Sequence, residues 1–255
     1  MQVTFLGTGT STGVPVPTCD CRVCLSDDSR DQRLRPSVLL KWDGASVLVD
    51  TATDLRQQAL RYGISRVDAV LYTHAHADHV LGLDELRLYN WRQQGPVPVF
   101  GSGRTLKAVS RTFWYVFHDA DAQSTRPAIE LHEVDEPFEL LGRRVVPVPV
   151  MHGDLPILGY RLGRFAYLTD VSRIPEASYR LLDGLDLLVL NALRERPHPT
   201  HFQLEQAQRE ALKIGARRTL FTHFSHEIHH ATVSARLPSG IELAYDGLSF
   251  EVDEG

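Results

Sequence analysis

The chain has 255 residues, 43% of them hydrophobic and 23% charged, with a formal net charge of −5 when histidine is neutral. That composition excludes wholesale disorder, and the length suits one large α/β domain over residues 1–255 with a sizeable core. The negative balance argues against extended nucleic acid as the main partner, but a small phosphate ester stays compatible, because bound cations can outweigh the charge of the whole chain.

"QVTFL" opens the chain as a short strand running into Gly7-Thr8-Gly9. Its neighbourhood has no basic stretch and no long apolar one, so no signal peptide is expected. The loop "GTGTSTG" either offers backbone N–H groups to a phosphate or makes a tight turn. The next segment, "PTCDCRVCLSDDSRDQRLRP", is irregular and charged and holds all three cysteines, Cys19, Cys21 and Cys24. An odd number at this spacing suits a metal in a reducing compartment better than disulfides, which makes a cytoplasmic protein the expectation. "SVLLKW" and "SVLVD" flank Asp43-Gly44, a strong hairpin signal.

"DLRQQALRYG" is helical, with Asp54 as cap and Gly63 as stop. "VDAVLYT" is an apolar strand, and "THAHADH" follows at once at its C-terminal end. "VPVF" is a further strand. A helical pattern lies within residues 103–126, around "TLKAVSRTFWYVFHD". The strands "AIELHEV", "FELLGRRVVPVPV" and "ILGYRLGRFAYLTD" come next, with turns at Gly142 and Gly163. "DLLVLNA" is a buried strand, "QLEQAQREALKIGA" an amphipathic helix stopping at Gly215, and "RTLFTH" a strand with a histidine at its end. "LAYDGLSFEV" closes as a strand pair about Asp246-Gly247. No run approaches the ~18 apolar residues of a membrane span, so no membrane partner is expected.

His74, His76, Asp78 and His79 form H-x-H-x-D-H directly after a strand. Neutral imidazoles with a carboxylate suit Zn²⁺, Mn²⁺ or Fe. The spacing sends His74 and His76 toward one ion and Asp78 and His79 toward another. One segment cannot complete two coordination shells, so more ligands are needed. His152, Asp170 and His223 each stand at the end of an apolar strand, where open α/β sheets place their sites, and Asp170 has the chemistry to bridge two ions. Asp50, ending "SVLVD", is a candidate to orient a ligand imidazole. His118 and His132 read as structural or exposed, and His229 and His230 as surface residues.

"THAHADH" matches the T-H-x-H-x-D-H signature of the metallo-β-lactamase superfamily. Together with "FLGTGTSTGVP" and "LFTHFSH", it resembles the phosphodiesterase branch that includes tRNase Z. The resemblance implies a four-layer αββα sandwich with the metals at one edge of the two sheets. A narrower similarity, to the PhnP-like cyclic phosphodiesterases, rests on Cys19-x-Cys21-x-x-Cys24 and Thr222-His223-Phe224-Ser225-His226. It implies a dinuclear site of His74, His76, Asp78, His79, His152, Asp170 and His223, taking Zn or Mn. It also implies a structural zinc on Cys19, Cys21, Cys24 and His226, and Cys₃His is a closed tetrahedral zinc set. The same resemblance makes His201 the catalytic histidine ahead of its neighbour His198, with Asp78 also counted in catalysis, and implies a homodimer.

The function expected is hydrolysis of a small phosphodiester, such as phosphoribosyl 1,2-cyclic phosphate or a 2′,3′-cyclic nucleotide, by a hydroxide bridging two metals. The alternatives are a tRNase Z-like endonuclease, a cytosolic thioester hydrolase and a non-catalytic metal-binding protein. The short gap between His152 and Asp170 leaves no room for a tRNA-gripping arm.

Overall fold

A computed structural model describes residues 1–118 and 125–252, and within them two seven-stranded sheets pack face to face. The first sheet has the order β14 (Ser249–Glu251), β1 (Gln2–Gly7), β2 (Ser37–Trp42), β3 (Ala45–Val49), β4 (Ala69–Leu71), β5 (Val97–Gly101), β6 (Ile129–Glu133). The second has the order β13 (Ile241–Leu243), β12 (Arg218–Thr222), β11 (Leu187–Asn191), β10 (Phe165–Leu168), β9 (Leu155–Leu162), β8 (Arg143–His152), β7 (Phe138–Leu140). Each sheet is antiparallel on one side and parallel on the other.

Parallel neighbours need crossover connections, and here these carry helices: α1 (Leu55–Tyr62), α2 (Ala77–Val80), α3 (Leu86–Gln93) and α4 (Gly103–Thr112) beside the first sheet. The short α5 (Trp114–Phe117) follows α4. Beside the second sheet lie α6 (Glu176–Tyr179), α7 (Leu204–Ile214) and α8 (His230–Ser234). Alternation along the strands builds the layers, because successive side chains point to opposite faces. Val47 and Val49 join Tyr160, Tyr167 and Val189 between the sheets. Leu48 and Val70 face outward against Leu55, Leu83 and Leu86, and Leu188 and Leu190 do the same against Leu204, Ala207 and Ala211. This is the αββα sandwich expected.

The Asp43-Gly44 hairpin forms with Trp42 opposite Ala45 and both turn residues at positive φ, 47° and 83°. Three expectations need correction. Asp54 sits at the start of α1 but does not cap it, because its carboxylate is taken by the Arg35 amide and guanidinium, both at 2.8 Å. The helical pattern over 103–126 breaks at Phe113 into α4 and α5, and its part at 119–124 lies outside the described residues.

The closing strands do not pair with each other: β13 joins β12 and β14 joins β1, in different sheets. The Asp-Gly signal at 246–247 misleads because Asp246 is used over long range. Its Oδ1 accepts from the Thr8 amide and hydroxyl at 2.8 Å each, and its Oδ2 from the Leu34 amide at 2.7 Å. Replacing Asp246 by alanine orphans these donors and should cost about 3 kcal/mol of stability, read from urea unfolding at unchanged m-value. A loss near zero would show that water replaces the carboxylate there.

Candidate metal centres

The residues singled out as ligands meet at one edge of the sandwich, just past strand C-termini. Strands β8 and β10 are each antiparallel to β9, so they run the same way, and β10 to β12 are parallel. Their ends therefore share an edge, and place His152, Asp170 and His223 there. Across from them, β3 and β4 deliver Asp50 and the segment 73–80. Asp50, Asp170 and His223 are non-glycine residues with φ of 62°, 60° and 62°. This left-handed conformation costs roughly 1 kcal/mol or more per residue, and these three residues fall on the same edge.

Two groups form, His74, His76, His152 and Asp170, and Asp78, His79, Asp170 and His223, each with ligand atoms all within 4.8 Å of one another. Asp170 belongs to both and divides its oxygens between them. Its Oδ1 lies 3.2 Å from His223 Nε2 and 3.4 Å from His79 Nε2, and its Oδ2 lies 3.7 Å from His74 Nε2. Asp78 Oδ2 stands 3.4 Å from His79 Nε2 and 3.6 Å from His223 Nε2.

The rings are aimed from behind. His79 Nδ1 donates to Asp50 Oδ2 at 2.7 Å, His152 Nδ1 to the Thr200 carbonyl at 2.7 Å, and His74 Nδ1 to Thr73 Oγ1 at 3.0 Å. Such contacts settle the tautomer and turn Nε2 toward the site, where that of His74 lies 3.0 Å from His76 Nδ1. Asp50, placed in this role on sequence grounds, is itself held by the Thr73 amide and hydroxyl.

The donor set fits cations. The Nε2 atoms of His79 and His223 are buried without a hydrogen-bond partner, facing carboxylate oxygens. Burial alone would lower the basicity of His79, yet Asp170, Asp78 and Asp50 together hold its pKa well above the ordinary value. Burial would likewise raise Asp170, but His223 and His79 outweigh it and keep the carboxyl well below the usual range. The cage of buried carboxylates thus demands positive charge, and a cation entering it displaces protons.

The second set lies beside the first. The sulfurs of Cys19, Cys21 and Cys24 stand 3.2, 3.5 and 3.6 Å from His226 Nδ1. Zinc–ligand bonds of about 2.3 Å to sulfur and about 2.1 Å to nitrogen imply an edge of about 3.6 Å around one tetrahedral ion. Burial pushes the Cys24 thiol up to about 11, whereas at Cys21 the Cys24 amide and neighbouring thiols outweigh burial and bring it to about 7.

His201 lies at the mouth, its Nε2 donating to Asp170 Oδ2 at 3.2 Å, and its Nδ1 is 3.1 Å from His198 Nδ1. Burial lowers its pKa to about 4, against the pull of Asp170. The glycine-rich loop is a close-packed turn. The amides of Thr8, Gly9, Thr10 and Gly13 are already bonded, and a Cβ at Gly7 would lie 2.0 Å from the Arg35 carbonyl. His118 and His132 are exposed. His230 corrects its expectation as a surface residue: it is buried against Tyr245, while His229 caps α8 from the half-exposed layer. The sequence reading missed Thr73, which bonds its neighbour His74 and the distant Asp50, and Thr200, whose own backbone carbonyl accepts from His152 on β8.

Residues 45–224 match the family model described as a beta-lactamase superfamily domain. The chain is similar, at 42% identity over 260 residues, to an octanoyltransferase of Porphyromonas gingivalis; the match takes in all of this chain but 52% of that protein, so the chain spans about half its length. It is 27% identical over 257 residues to a ribonuclease Z of Mycolicibacterium gilvum, covering 88% of this chain and 84% of that one. A solved diphosphatase of the PhnP family superposes with a TM-score of 0.93 at 47% identity, covering 99% and 98% of the two chains. Zn²⁺-bound PqqB from Methylobacterium extorquens, at 23% identity and a TM-score of 0.78 over 99% and 100% of the chains, shares the fold.

Proposed function

Since the chain belongs to the metallo-β-lactamase superfamily, we propose that it is a metal-dependent phosphodiesterase acting on a small diester such as a cyclic phosphate of ribose. One observation carries this reading: Asp170 presents a separate oxygen to each of two cation-shaped groups. In it, His74, His76, His152 and Asp170 hold one divalent cation, Zn or Mn, and Asp78, His79, Asp170 and His223 the other. Cys19, Cys21, Cys24 and His226 hold a structural zinc. When bound, the paired cations supply Lewis acidity toward phosphoryl oxygens and an activated water.

The chain's own groups supply the rest. Asp50, Thr73 and Thr200 keep the ligand rings aimed. His201 stands beside the shared carboxylate, with its Nε2–H on Asp170 Oδ2, and in this reading it turns that N–H to the oxygen that leaves phosphorus. A buried, neutral imidazole does this as a hydrogen-bond donor, strengthened as charge grows on that oxygen. His201→Ala should therefore lower kcat on a 2′,3′-cyclic nucleotide by about 10²–10³-fold, and far less on bis(p-nitrophenyl) phosphate, whose leaving group departs unaided. Equal losses on both would remove His201 from the leaving-group side.

Between His152 and Asp170 the chain is taken up by β9, β10 and their turns, which leaves no arm for gripping a long RNA. That, with the net charge of −5, favours a small substrate over the ribonuclease activity named for some relatives. A second reading, cleavage of a diphosphate, is favoured by the PhnP-family neighbour. Assays of the metal-loaded protein on bis(p-nitrophenyl) phosphate, a 2′,3′-cyclic nucleotide, a dinucleoside diphosphate and an acyl thioester separate these. Metal-dependent turnover of the diesters is the expected result. Diphosphate cleavage with diesters intact would replace it by the second reading, and thioester turnover alone would overturn both.

A further inference from the structure

His223 is aimed differently from the other buried imidazoles of the site. His74, His79 and His152 each have a remote nitrogen engaged, by Thr73, Asp50 and Thr200. His223 is buried with neither ring nitrogen hydrogen-bonded. Its ring lies stacked between those of His79 and His201, with centroids 5.9 and 5.1 Å away. No side-chain hydrogen bond sets its direction, so the backbone of residues 222–228 must.

Backbone bonds pin the near side of that turn, from the Phe224 amide to the Thr8 carbonyl, from the Thr10 amide to the Phe224 carbonyl and from the Ser225 amide to the Leu193 carbonyl, and two side-chain features hold it further along. One is His226, three residues on, whose Nδ1 faces the three cysteine sulfurs. The other is Arg33, whose side chain, like that of its partner Asp31, is fully buried. Arg33 Nη1 donates to the Ser225 carbonyl at 3.2 Å, and Nη2 donates to the Ile228 carbonyl at 2.7 Å and to Asp31 Oδ1 at 2.9 Å. Nε donates to the Arg30 carbonyl at 3.2 Å, and the guanidinium carbon lies 5.0 Å from the centroid of the Phe224 ring. Asp31 in turn accepts from the His230 amide at 2.8 Å and the Ser26 hydroxyl at 2.8 Å. One planar cation thus ties the cysteine loop to both halves of the turn carrying His223 and His226, a fork that a lysine ammonium cannot reproduce.

We infer that the cysteine–histidine group and the dinuclear group bind metal cooperatively, with Arg33 as the positioning residue that transmits the coupling by holding residues 222–228 so that His223 faces Asp78 and Asp170. The inference rests on the reading of both groups as metal sites. Its physical basis is shared ordering: filling one site fixes the turn, and the second cation then binds a ligand whose direction is already set.

The test is a zinc titration against a competing chelator, on metal-stripped protein, in wild type, Cys24→Ser, Arg33→Lys and the double variant. Circular dichroism confirms folding, and Asp31→Asn serves as a second variant that loosens Arg33 while keeping it. Cys24→Ser should weaken zinc binding at the dinuclear group by about 10–100-fold although it touches none of its ligands. Arg33→Lys should do the same, and the double variant should be no weaker than the worse single. Equal dinuclear affinity in wild type and Cys24→Ser, or additive losses in the double, would overturn the coupling and leave the metal sites standing. Failure of wild type to bind zinc at the dinuclear group would remove both.

Discussion

Asp170→Ala is expected to lower metal-dependent phosphodiester turnover by at least about 10³-fold and to take the protein from three metal equivalents to one. No other side chain belongs to both active-site groups among the described residues. Its removal takes an oxygen from each, and it leaves His79, His223 and His74 facing one another without the carboxylate that now lies 3.4, 3.2 and 3.7 Å from them. Asp170→Asn keeps the volume and removes the charge, so it should lose the cations almost as completely. Elemental analysis paired with kcat on bis(p-nitrophenyl) phosphate checks both. A variant that keeps two active-site metals and its rate would show that Asp170 is a bystander and that the two groups are not one centre.

Cys21→Ser is expected to act on a different quantity. It should lose one of the three metal equivalents and lower the melting temperature by about 10 °C, since a structural zinc contributes its binding free energy to folding. The segment it secures has little core of its own: Val14, Val23 and Cys24 are its buried apolar residues, with only Val16, Cys19 and Cys21 packed against them. At saturating metal, kcat should stay within about tenfold of wild type, because no active-site ligand is changed. Calorimetry and elemental analysis read the outcome. Three retained equivalents with an unshifted melting temperature would mean that the cysteines are ordinary thiols and that the match of their spacing to zinc is fortuitous.

Both predictions trace to residues that the sequence makes conspicuous. H-x-H-x-D-H after an apolar strand stands out because ligand types rarely crowd one segment without a shared partner. The Asp43-Gly44 hairpin was legible for the same reason, since its turn chemistry and its strands are neighbours in the chain. Asp246-Gly247 looked identical and was not a hairpin, because its carboxylate bonds Thr8 and Leu34 and its flanking strands find edges in separate sheets.

What the sequence determined by itself is the local content: strand and helix periods, the layer-forming alternation, and the donors standing at the strand ends. What only the tertiary structure decided is which donors meet. It divided the oxygens of Asp170 between two groups, gave the Asp50 carboxylate to His79 and the Thr200 carbonyl to His152, and placed Arg33 beneath the turn that carries His223. The reason is physical. Periodicity and residue type report the few residues around a position, whereas these contacts join strand ends and loops far apart in the chain and exist only once the two sheets have closed on each other.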